Sequence, residues 1–509
     1  MPDAFFDGFQ LFLANIWIVP VGVLIGMFVG GMPGLTSSGT LAMLLPVLLV
    51  LRPELGLLLG VSIYAGAEMG NSFPSVMLNI PGTAGGAVTA FDGFPLMKQG
   101  KAAWALGICI MASVVGAVIG GLASLTLSPQ IAAVALRFGP AEICIIILFG
   151  LAVIAQLSSG GLAKGLFAGL FGLLLATTGT DPTFGTHRGT FDIVYLFDQL
   201  PIIAVLVGLL GFSEVLVYVE KGLSRLLKPG DELPEHQIGL AGIVSGLKET
   251  LRYPWELLRG GAIGVGIGAM PGAGASVATF VSYQQAMAFA RPGRRALFGK
   301  GAPEGLIAAD VTNNAVVGGA LVPLLTLGIP GSGSMAVLLV VMTYHGMYVG
   351  PRLFQFSGDI AYAVLISQFF AAGFILLIGT ALAFFAYRVA LLNLKMMVPI
   401  ISVFCLMGGF ARNNYLFDMG VMVVFGCLGF VMKKFNYPVV ATLLGVVLGR
   451  LFETEFMRAW RIGLNSPDLF FTGAIAQVLW ALFVFTFVGP PLIRLIRRRI
   501  KGGSEGAAE

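Results

Sequence analysis

The stretch GVLIGMFVGGMPG (22–34) returns later in the chain as GGAIGVGIGAMPG (260–272). At an offset of 238, Gly22, Ile25, Gly26, Gly30, Met32, Pro33 and Gly34 all meet identical residues. A second stretch, YAGAEMGNSFPSVMLNIPG (64–82), returns as NNAVVGGALVPLLTLGIPG (313–331), with Gly70, Pro74, Leu78, Ile80, Pro81 and Gly82 matched at an offset of 249. A third, PIIAVLVG (201–208), returns as PVVATLLG (438–445) with four identities at an offset of 237. The 11 extra residues between the first two blocks fall in the basic segment RPGRRALFGKGAP (291–303). A glycine-rich chain can match itself by accident. Three blocks in one order at nearly one offset argue instead for a duplicated architecture.

Composition identifies the solvent of that architecture. The 509 residues are 57% apolar and only 11% charged, with a mean hydropathy of +0.92. A soluble domain carries about 25% charged residues, so this chain cannot dress a water-facing surface and belongs in lipid. At roughly 20 apolar residues per span, it has room for about ten or more spans. The longest charge-rich stretch, about 220–259, is too short for a soluble domain of ordinary size. The reading is an all-α polytopic membrane protein. MPDAFFDGFQ has no basic region ahead of its apolar run, so the first helix is expected to be a retained span rather than a cleaved signal. Cys109, Cys144, Cys405 and Cys427 sit in apolar segments without CxxC spacing, which supports neither disulfides nor a metal site.

Basic residues orient the chain. The tail holds Arg494, Arg497, Arg498, Arg499 and Lys501, and the middle loop holds Lys221, Arg225, Lys228, Lys248, Arg252 and Arg259. Both are expected in the cytoplasm, and the N-terminus, with Asp3 and Asp7 and no base, outside. The tail charge abuts a hydrophobic span and lacks interleaved aromatics, so nucleic acid is not an expected partner. Repeat one (12–219) then crosses an odd number of times, and a cytoplasmic linker (220–254) follows. Repeat two (255–460) starts from the opposite side, so the repeats are expected to be inverted. A further helix (471–493) returns the chain to a cytoplasmic tail (494–509).

Each repeat carries two Pro-Gly breaks in apolar sequence: Pro33-Gly34 and Pro81-Gly82, then Pro271-Gly272 and Pro330-Gly331. Proline removes an amide donor and glycine permits helix-ending geometry. In hydrocarbon such a break is tolerated only when buried in protein or lining a wet cavity. Hydroxyls follow the breaks: Thr36, Ser37 and Ser38; Thr83; Ser276; Ser332 and Ser334. A helix starting there offers free amides, hydroxyls and its positive dipole end, which together hold a carboxylate. A single break could equally be a proline kink relieved by neighbouring hydroxyls. Four in symmetric pairs point to a midplane binding site. The GxxxGxxxG runs, Gly22, Gly26, Gly30 and Gly260, Gly264, Gly268, are read as packing surfaces.

Polar residues inside apolar sequence are expensive and mark function. Glu68, Asn71, Asp310, Asn313 and Asn314 are candidate ligands of a coupling ion: carboxylate and amide oxygens suit Na⁺, and a carboxylate alone suits a proton. Each could instead satisfy a broken helix or sit at the interface. Asp92, Lys98 and Lys101 read as an interfacial loop. His187, His236 and His345 are scattered, and GxSxG, HExxH and Walker motifs are absent, so neither catalysis nor nucleotide-driven transport is indicated. No organic cofactor is expected.

Several motifs resemble the large membrane subunit of the tripartite tricarboxylate transporters: GMPGLTSSGTLAMLLP (31–46), NIPGTAGGAVTAFDGFPLMKQGKAAWALG (79–107), TGTDPTFGTHRGTF (178–191), NNAVVGGALVPLLTLGIPGSGSMAVLLV (313–340) and GGFARNNYLFDMGVMVVFGCLGFVMKK (408–434). The resemblance implies a secondary transporter in the bacterial inner membrane. It would work with a small four-helix membrane subunit and a periplasmic solute-binding protein. It implies uptake of citrate or another carboxylate coupled to Na⁺ or H⁺, by an elevator-like movement. The Pro-Gly segments would face substrate, with Asn313 and Asn314 close by. YAGAEMGNS (64–72) departs from that family's tyrosine and paired glycines, which sets Glu68 and Asn71 apart from its pattern. The competing classes are a channel or transporter for a non-carboxylate solute, which would call for a ring of acidic pore residues, and a membrane enzyme.

Overall fold

Proline opens three of the central helices. Pro53, Pro254 and Pro303 stand at the first helical turn, where the missing amide would have had no partner anyway. The computed structural model describes residues 2–485 and 487, apart from 33–34, 84, 158–159, 182–184, 221–237, 273, 387, 389–393 and 411–412. Pro33, Gly34 and the tail 494–509 therefore lie outside the described residues. The fold is helical almost throughout, an all-α polytopic membrane architecture.

The chain runs α1 (Pro2–Asn15), α2 (Ile18–Gly30), α3 (Ser37–Val50), α4 (Pro53–Gly70), α5 (Ser72–Leu78), α6 (Gly86–Lys98) and α7 (Ala102–Ala135). Then come α8 (Pro140–Leu157), α9 (Leu162–Ala176) and α10 (Ile202–Glu220), the last with a π-helical turn at Val207–Phe212. The second half holds α11 (Leu240–Thr250), α12 (Pro254–Gly268), α13 (Gly274–Phe289), α14 (Pro303–Leu327), α15 (Gly333–Tyr344) and α16 (Gly358–Ala383). It closes with α17 (Leu394–Phe410), α18 (Leu416–Lys434) and α19 (Val439–Ile462).

By length and composition, α7, α10, α14, α16 and α18 can each cross a membrane, and α1 with α2 forms a sixth candidate bent by 67°. A row of uniform 20-residue spans is thus not how the chain is built. Breaks split much of its apolar sequence into shorter helices, among them 37–50, 333–344 and 474–485. The last lies within the stretch expected as a final span (471–493), whose end is outside the described residues.

Two compact units emerge. The first comprises residues 1–136 and 201–435, the second 137–200 and 436–509, so each half of the chain contributes to both. In the first unit α4 and α14 are central: Leu55–Gly70 and Pro303–Thr326 are buried along their whole length. A helix that is apolar on all sides needs neighbours on all sides. The neighbours recur. α2 lies along α4 as α12 lies along α14, α3 touches α4 as α13 touches α14, and α15 touches α4 as α6 touches α14. α16 also packs on α4 as α7 packs on α14, and α1 on α16 as α11 on α7.

The glycine stripes explain the closest of these contacts. A Cβ at Gly26 would strike the backbone of Ile63, and one at Gly264 that of Thr312, the residue 249 positions later. Gly30 faces Ala67 and Gly268 faces Val316, again 249 apart. The packing reading of these runs holds. Between α4 and α14 the order of contacts is opposite: Ala65 meets Asn314, Glu68 meets Asn313, and Ser72, just beyond α4, meets Asp310. The two helices therefore run antiparallel.

In the second unit α19 packs on α8 and α9, with Thr442 Oγ1 donating to the Ala168 carbonyl at 2.9 Å. A two-residue hairpin pairs Gly179–Thr180 with His187–Arg188. Arg188 holds it to α19 by reaching Asp181 at 3.3 Å and Glu453 at 2.5 Å.

Candidate functional site

Three helix starts carry the expected hydroxyls. Thr36 caps α3, its Oγ1 accepting from Gly39 N at 3.1 Å. Ser332 caps α15, accepting from Met335 N at 3.3 Å. Thr83 precedes α6 and accepts from Gly86 N at 3.3 Å. In each case a side chain replaces the carbonyl that the first amides of a helix lack. The breaks also sit on backbone. A Cβ at Gly82 would stand 2.5 Å from the Gly30 carbonyl oxygen, and one at Gly331 would stand 2.7 Å from that of Gly268, its counterpart in the repeat. Only glycine lets the chain turn this close to a neighbouring helix.

The starts of α3 and α15, and the Thr83 segment ahead of α6, converge on one polar cluster. Ser334 Oγ donates to Ser37 Oγ at 3.3 Å, and Ser37 Oγ donates to Glu68 Oε1 at 2.7 Å. Asn71 Nδ2 donates to Glu68 Oε2 at 3.3 Å and to Thr83 Oγ1 at 2.7 Å. Tyr64 OH donates to Ser332 Oγ at 3.3 Å. From α14, Asn313 Nδ2 reaches the Glu68 carbonyl at 2.8 Å and Asn314 Nδ2 the Ala65 carbonyl at 3.1 Å. Ser38 turns back to Thr36 at 3.2 Å. The fourth break joins through backbone, Gly272 N donating to the Gly331 carbonyl at 2.9 Å. Pro81 is half-buried, while Pro271 and Pro330 are buried. Ser276, partly exposed on α13, accepts from Thr279 through its carbonyl, and its hydroxyl makes none of these cluster bonds.

Asp310 stands apart from Glu68. Ser72 Oγ donates to its Oδ1 at 2.5 Å and Thr89 Oγ1 to its Oδ2 at 3.2 Å, tying α14 to α5 and α6. Tyr64, Ser72 and Thr89 were not singled out from the sequence. Two signals were available: their position in or beside the repeated block and, for Tyr64, the tyrosine of the family pattern that 64–72 otherwise departs from.

Among the described residues four carboxamide oxygens are buried without a hydrogen-bond partner: Gln368 Oε1 on α16 and, in this cluster, Oδ1 of Asn71, Asn313 and Asn314. Leaving such an acceptor unpaired costs about 1–3 kcal/mol, so each of these three is poised for a ligand that donates or carries positive charge. Among the described residues no three His, Cys, Asp or Glu side chains group as a transition-metal site would require.

Asp92 is a correction to the sequence reading. It is not in an interfacial loop but fully buried within α6. Its Oδ1 accepts the amides of Gly299, Gly301 and Ala302 at 2.8, 2.9 and 2.8 Å, and its Oδ2 accepts Tyr283 OH at 2.9 Å. The carboxylate thereby ties α6 to α13 and to the turn that starts α14. Lys98 closes α6 and Lys101 precedes α7.

Comparison with known proteins gives one consistent result. The chain is 30% identical over 480 residues, 93% of each chain, to the "Uncharacterized 52.8 kDa protein in TAR-I ttuC' 3'region" of Agrobacterium vitis. It is also 30% identical over 216 residues to the "Uncharacterized protein in TAR-II ttuC' 3'region" of the same organism, covering 42% of this chain and 88% of the other. No solved structure matches it. The profile of the Tripartite tricarboxylate transporter TctA family matches residues 16–444. With its apolar helices, broken segments and central polar cluster, this chain belongs to the tripartite tricarboxylate transporter TctA family.

Proposed function

We propose that this chain is the large membrane subunit of a secondary transporter that imports citrate or a related small carboxylate. Its partners on this reading are a small four-helix membrane subunit and a periplasmic solute-binding protein, and a Na⁺ or H⁺ gradient supplies the energy. One observation carries the reading: hydroxyl-bearing segments at the starts of α3, α6 and α15 meet deep in an apolar body. Amides, hydroxyls and dipole ends at such a junction hold an anion without a buried basic residue. The orphaned oxygens of Asn71, Asn313 and Asn314 suit the accompanying cation.

The antiparallel pairing of α4 with α14, and the recurrence of each helix's neighbours, support two inverted repeats over the stretches 12–219 and 255–460, extended back to include α1 and its counterpart α11. The cytoplasmic linker, read from the sequence as 220–254, would then end before α11. The proposal keeps the N-terminus periplasmic, the C-terminus cytoplasmic and the protein in the bacterial inner membrane, with an elevator-like movement exchanging access. Interruptions at matching places in two halves are what such a site requires.

The test is uptake of labelled citrate into liposomes holding both membrane subunits, with the binding protein outside. Wild type accumulates citrate only under an imposed ion gradient. Ser334→Ala lowers the initial rate at least about fivefold at equal protein density, the scale of one or two lost hydrogen bonds. A variant that lowers only protein yield refutes the binding role of that segment.

A further inference from the structure

The helix pairs α3–α4 and α13–α14 match in their packing but not in their connections. Leu51 and Arg52 alone join α3 to α4, and Arg52 pairs with Glu54 at 3.2 Å. Thirteen residues, 290–302, join α13 to α14. Arg291, Arg294, Arg295 and Lys300 fall in that segment, and no acid does.

The segment is built onto its neighbours. Its amides at Gly299, Gly301 and Ala302 end on Asp92, and Gln99 Nε2 donates to the Lys300 carbonyl at 2.9 Å. A Cβ at Gly301 would stand 2.9 Å from the Leu96 side chain. These contacts set it beside Lys98 and Lys101, where α6 ends and α7 begins. Arg294 turns inward, donating to Tyr253 OH at 2.8 Å and to Glu304 Oε2 at 3.0 Å. Arg291, Arg295 and Lys300, with Lys98 and Lys101, are exposed, and among the described residues none of the five has an ion pair. The acids close by are taken, Glu249 by Arg252, Glu256 by Arg259 and Glu304 by Arg294. Five unpaired cations in one place repel one another unless an anion lies over them.

The level of the patch selects that anion. α7 starts at Ala102 and α14 at Pro303, just past these cations, and both are long and apolar enough to cross a membrane. Leu297 within the segment is 45% exposed, Phe289 just ahead of it 68%, and Trp255, two residues from Tyr253, 70%. Cations with exposed leucine, phenylalanine and tryptophan beside them suit the boundary between headgroups and acyl chains. A small soluble anion would leave those apolar side chains without a use. We propose that residues 291–300, with Lys98 and Lys101, form a binding surface for anionic phospholipid headgroups. The cations take the phosphates and Leu297 enters the acyl boundary. This surface is independent of what the protein carries.

The test reads lipid composition at the patch itself. In the full chain with Cys427→Ser, Gly293→Cys takes a fluorophore. A Cβ at exposed Gly293 meets nothing within 4 Å, and the other three cysteines are buried. The protein is placed in phosphatidylcholine vesicles with about one-fifth phosphatidylglycerol, and a shallow acyl-chain spin label is carried by one lipid or the other. Quenching should report phosphatidylglycerol enriched at least about threefold over its share of the bilayer, and the excess should vanish by about 0.5 M NaCl. Neutralising all five cations (Lys98→Gln, Lys101→Gln, Arg291→Gln, Arg295→Gln and Lys300→Gln) returns the ratio to about one. Removing residues 494–509, which carry five cations of their own, leaves it unchanged. Enrichment that survives neutralisation, or goes with the tail, overturns the proposal. So does enrichment that inorganic phosphate abolishes at constant ionic strength, the mark of a site for a small free anion. Enrichment lost when the small membrane subunit joins the vesicles gives the surface to that protein and overturns the proposal too. Should the quintuple variant not fold, wild type decides through the salt series, and enrichment that is absent or indifferent to salt overturns the proposal.

Discussion

Replacing Asp92 by alanine removes the acceptor of three amides and one phenol in a single step. A hydrogen bond to a charged group contributes about 1.5–3 kcal/mol, and a buried donor left without a partner costs about 1–3 kcal/mol. The four are not equal here. Gly299 is exposed and water can replace its partner, whereas Ala302 is buried and has no such substitute. A net loss of roughly 2–5 kcal/mol follows, below the simple sum because the bonds share one acceptor. Asp92→Asn keeps an oxygen for the three amides, gives up charge assistance and turns the phenol bond round, its NH₂ donating to the Tyr283 oxygen, so it should cost about 1–2 kcal/mol. The buried thiols of Cys109, Cys144 and Cys405 supply the assay, and the exposed Cys427 is first changed to serine. A maleimide dye in detergent reports their exposure on heating. At soluble-protein entropies, about one degree of midpoint accompanies each kcal/mol for a chain of this size. Because α6 begins beside Thr83 and Asn71, transport should fall in Asp92→Ala and survive in Asp92→Asn. An alanine variant that melts with wild type would show that these four bonds do not hold α6.

Two further outcomes follow from the packing. Gly331→Ala places a methyl 2.7 Å from the Gly268 carbonyl and should cost about 1–3 kcal/mol. Gly346→Ala, at φ +68° in open space, should cost about 1 kcal/mol for backbone strain alone. Equal melting of the two in the thiol assay would remove the close approach as the reason for glycine at 331. In the second unit, Arg188→Ala breaks both ion pairs of the hairpin. The arginine is partly exposed, so about 1 kcal/mol is the expected loss. Hydrogen exchange at the Thr180 and Asp181 amides should quicken several-fold, and unchanged protection would show that the hairpin does not depend on Arg188.

The Pro-Gly breaks and the hydroxyls after them were legible because both signals are local. A helix cannot pass such a pair unbroken, and Ser or Thr beside a helix start is a cap wherever it occurs. Glu68, Asn71 and Asn313 were legible because polar side chains stand out in apolar sequence. Asp92 stood out too, but its meaning was hidden. Its partners Gly299, Gly301 and Ala302 bind through backbone amides some 210 positions away, and a backbone amide has no letter. Tyr64 matched the family's tyrosine, but its hydrogen bond to Ser332 stayed hidden, since an aromatic in a buried helix reads as filling. Where the apolar segments break was only partly legible, because hydropathy measures how apolar a segment is and not where it bends.

At the closest points of α2 on α4, and of α12 on α14, main chain meets main chain: Gly26 and Gly30 receive the backbone of Ile63 and Ala67, and Gly268 that of Val316. Such a pair behaves like meshed gear teeth. A slip of a fraction of a turn would drive carbonyl into Cα, so the smallest permitted step is a whole turn, about 5.4 Å. The α4–α14 contact is made differently, by asparagine amides reaching carbonyl oxygens that other donors, water included, can take over. Any rearrangement that carries cargo must therefore leave the glycine pairs intact as solid levers and re-partner the asparagines between them.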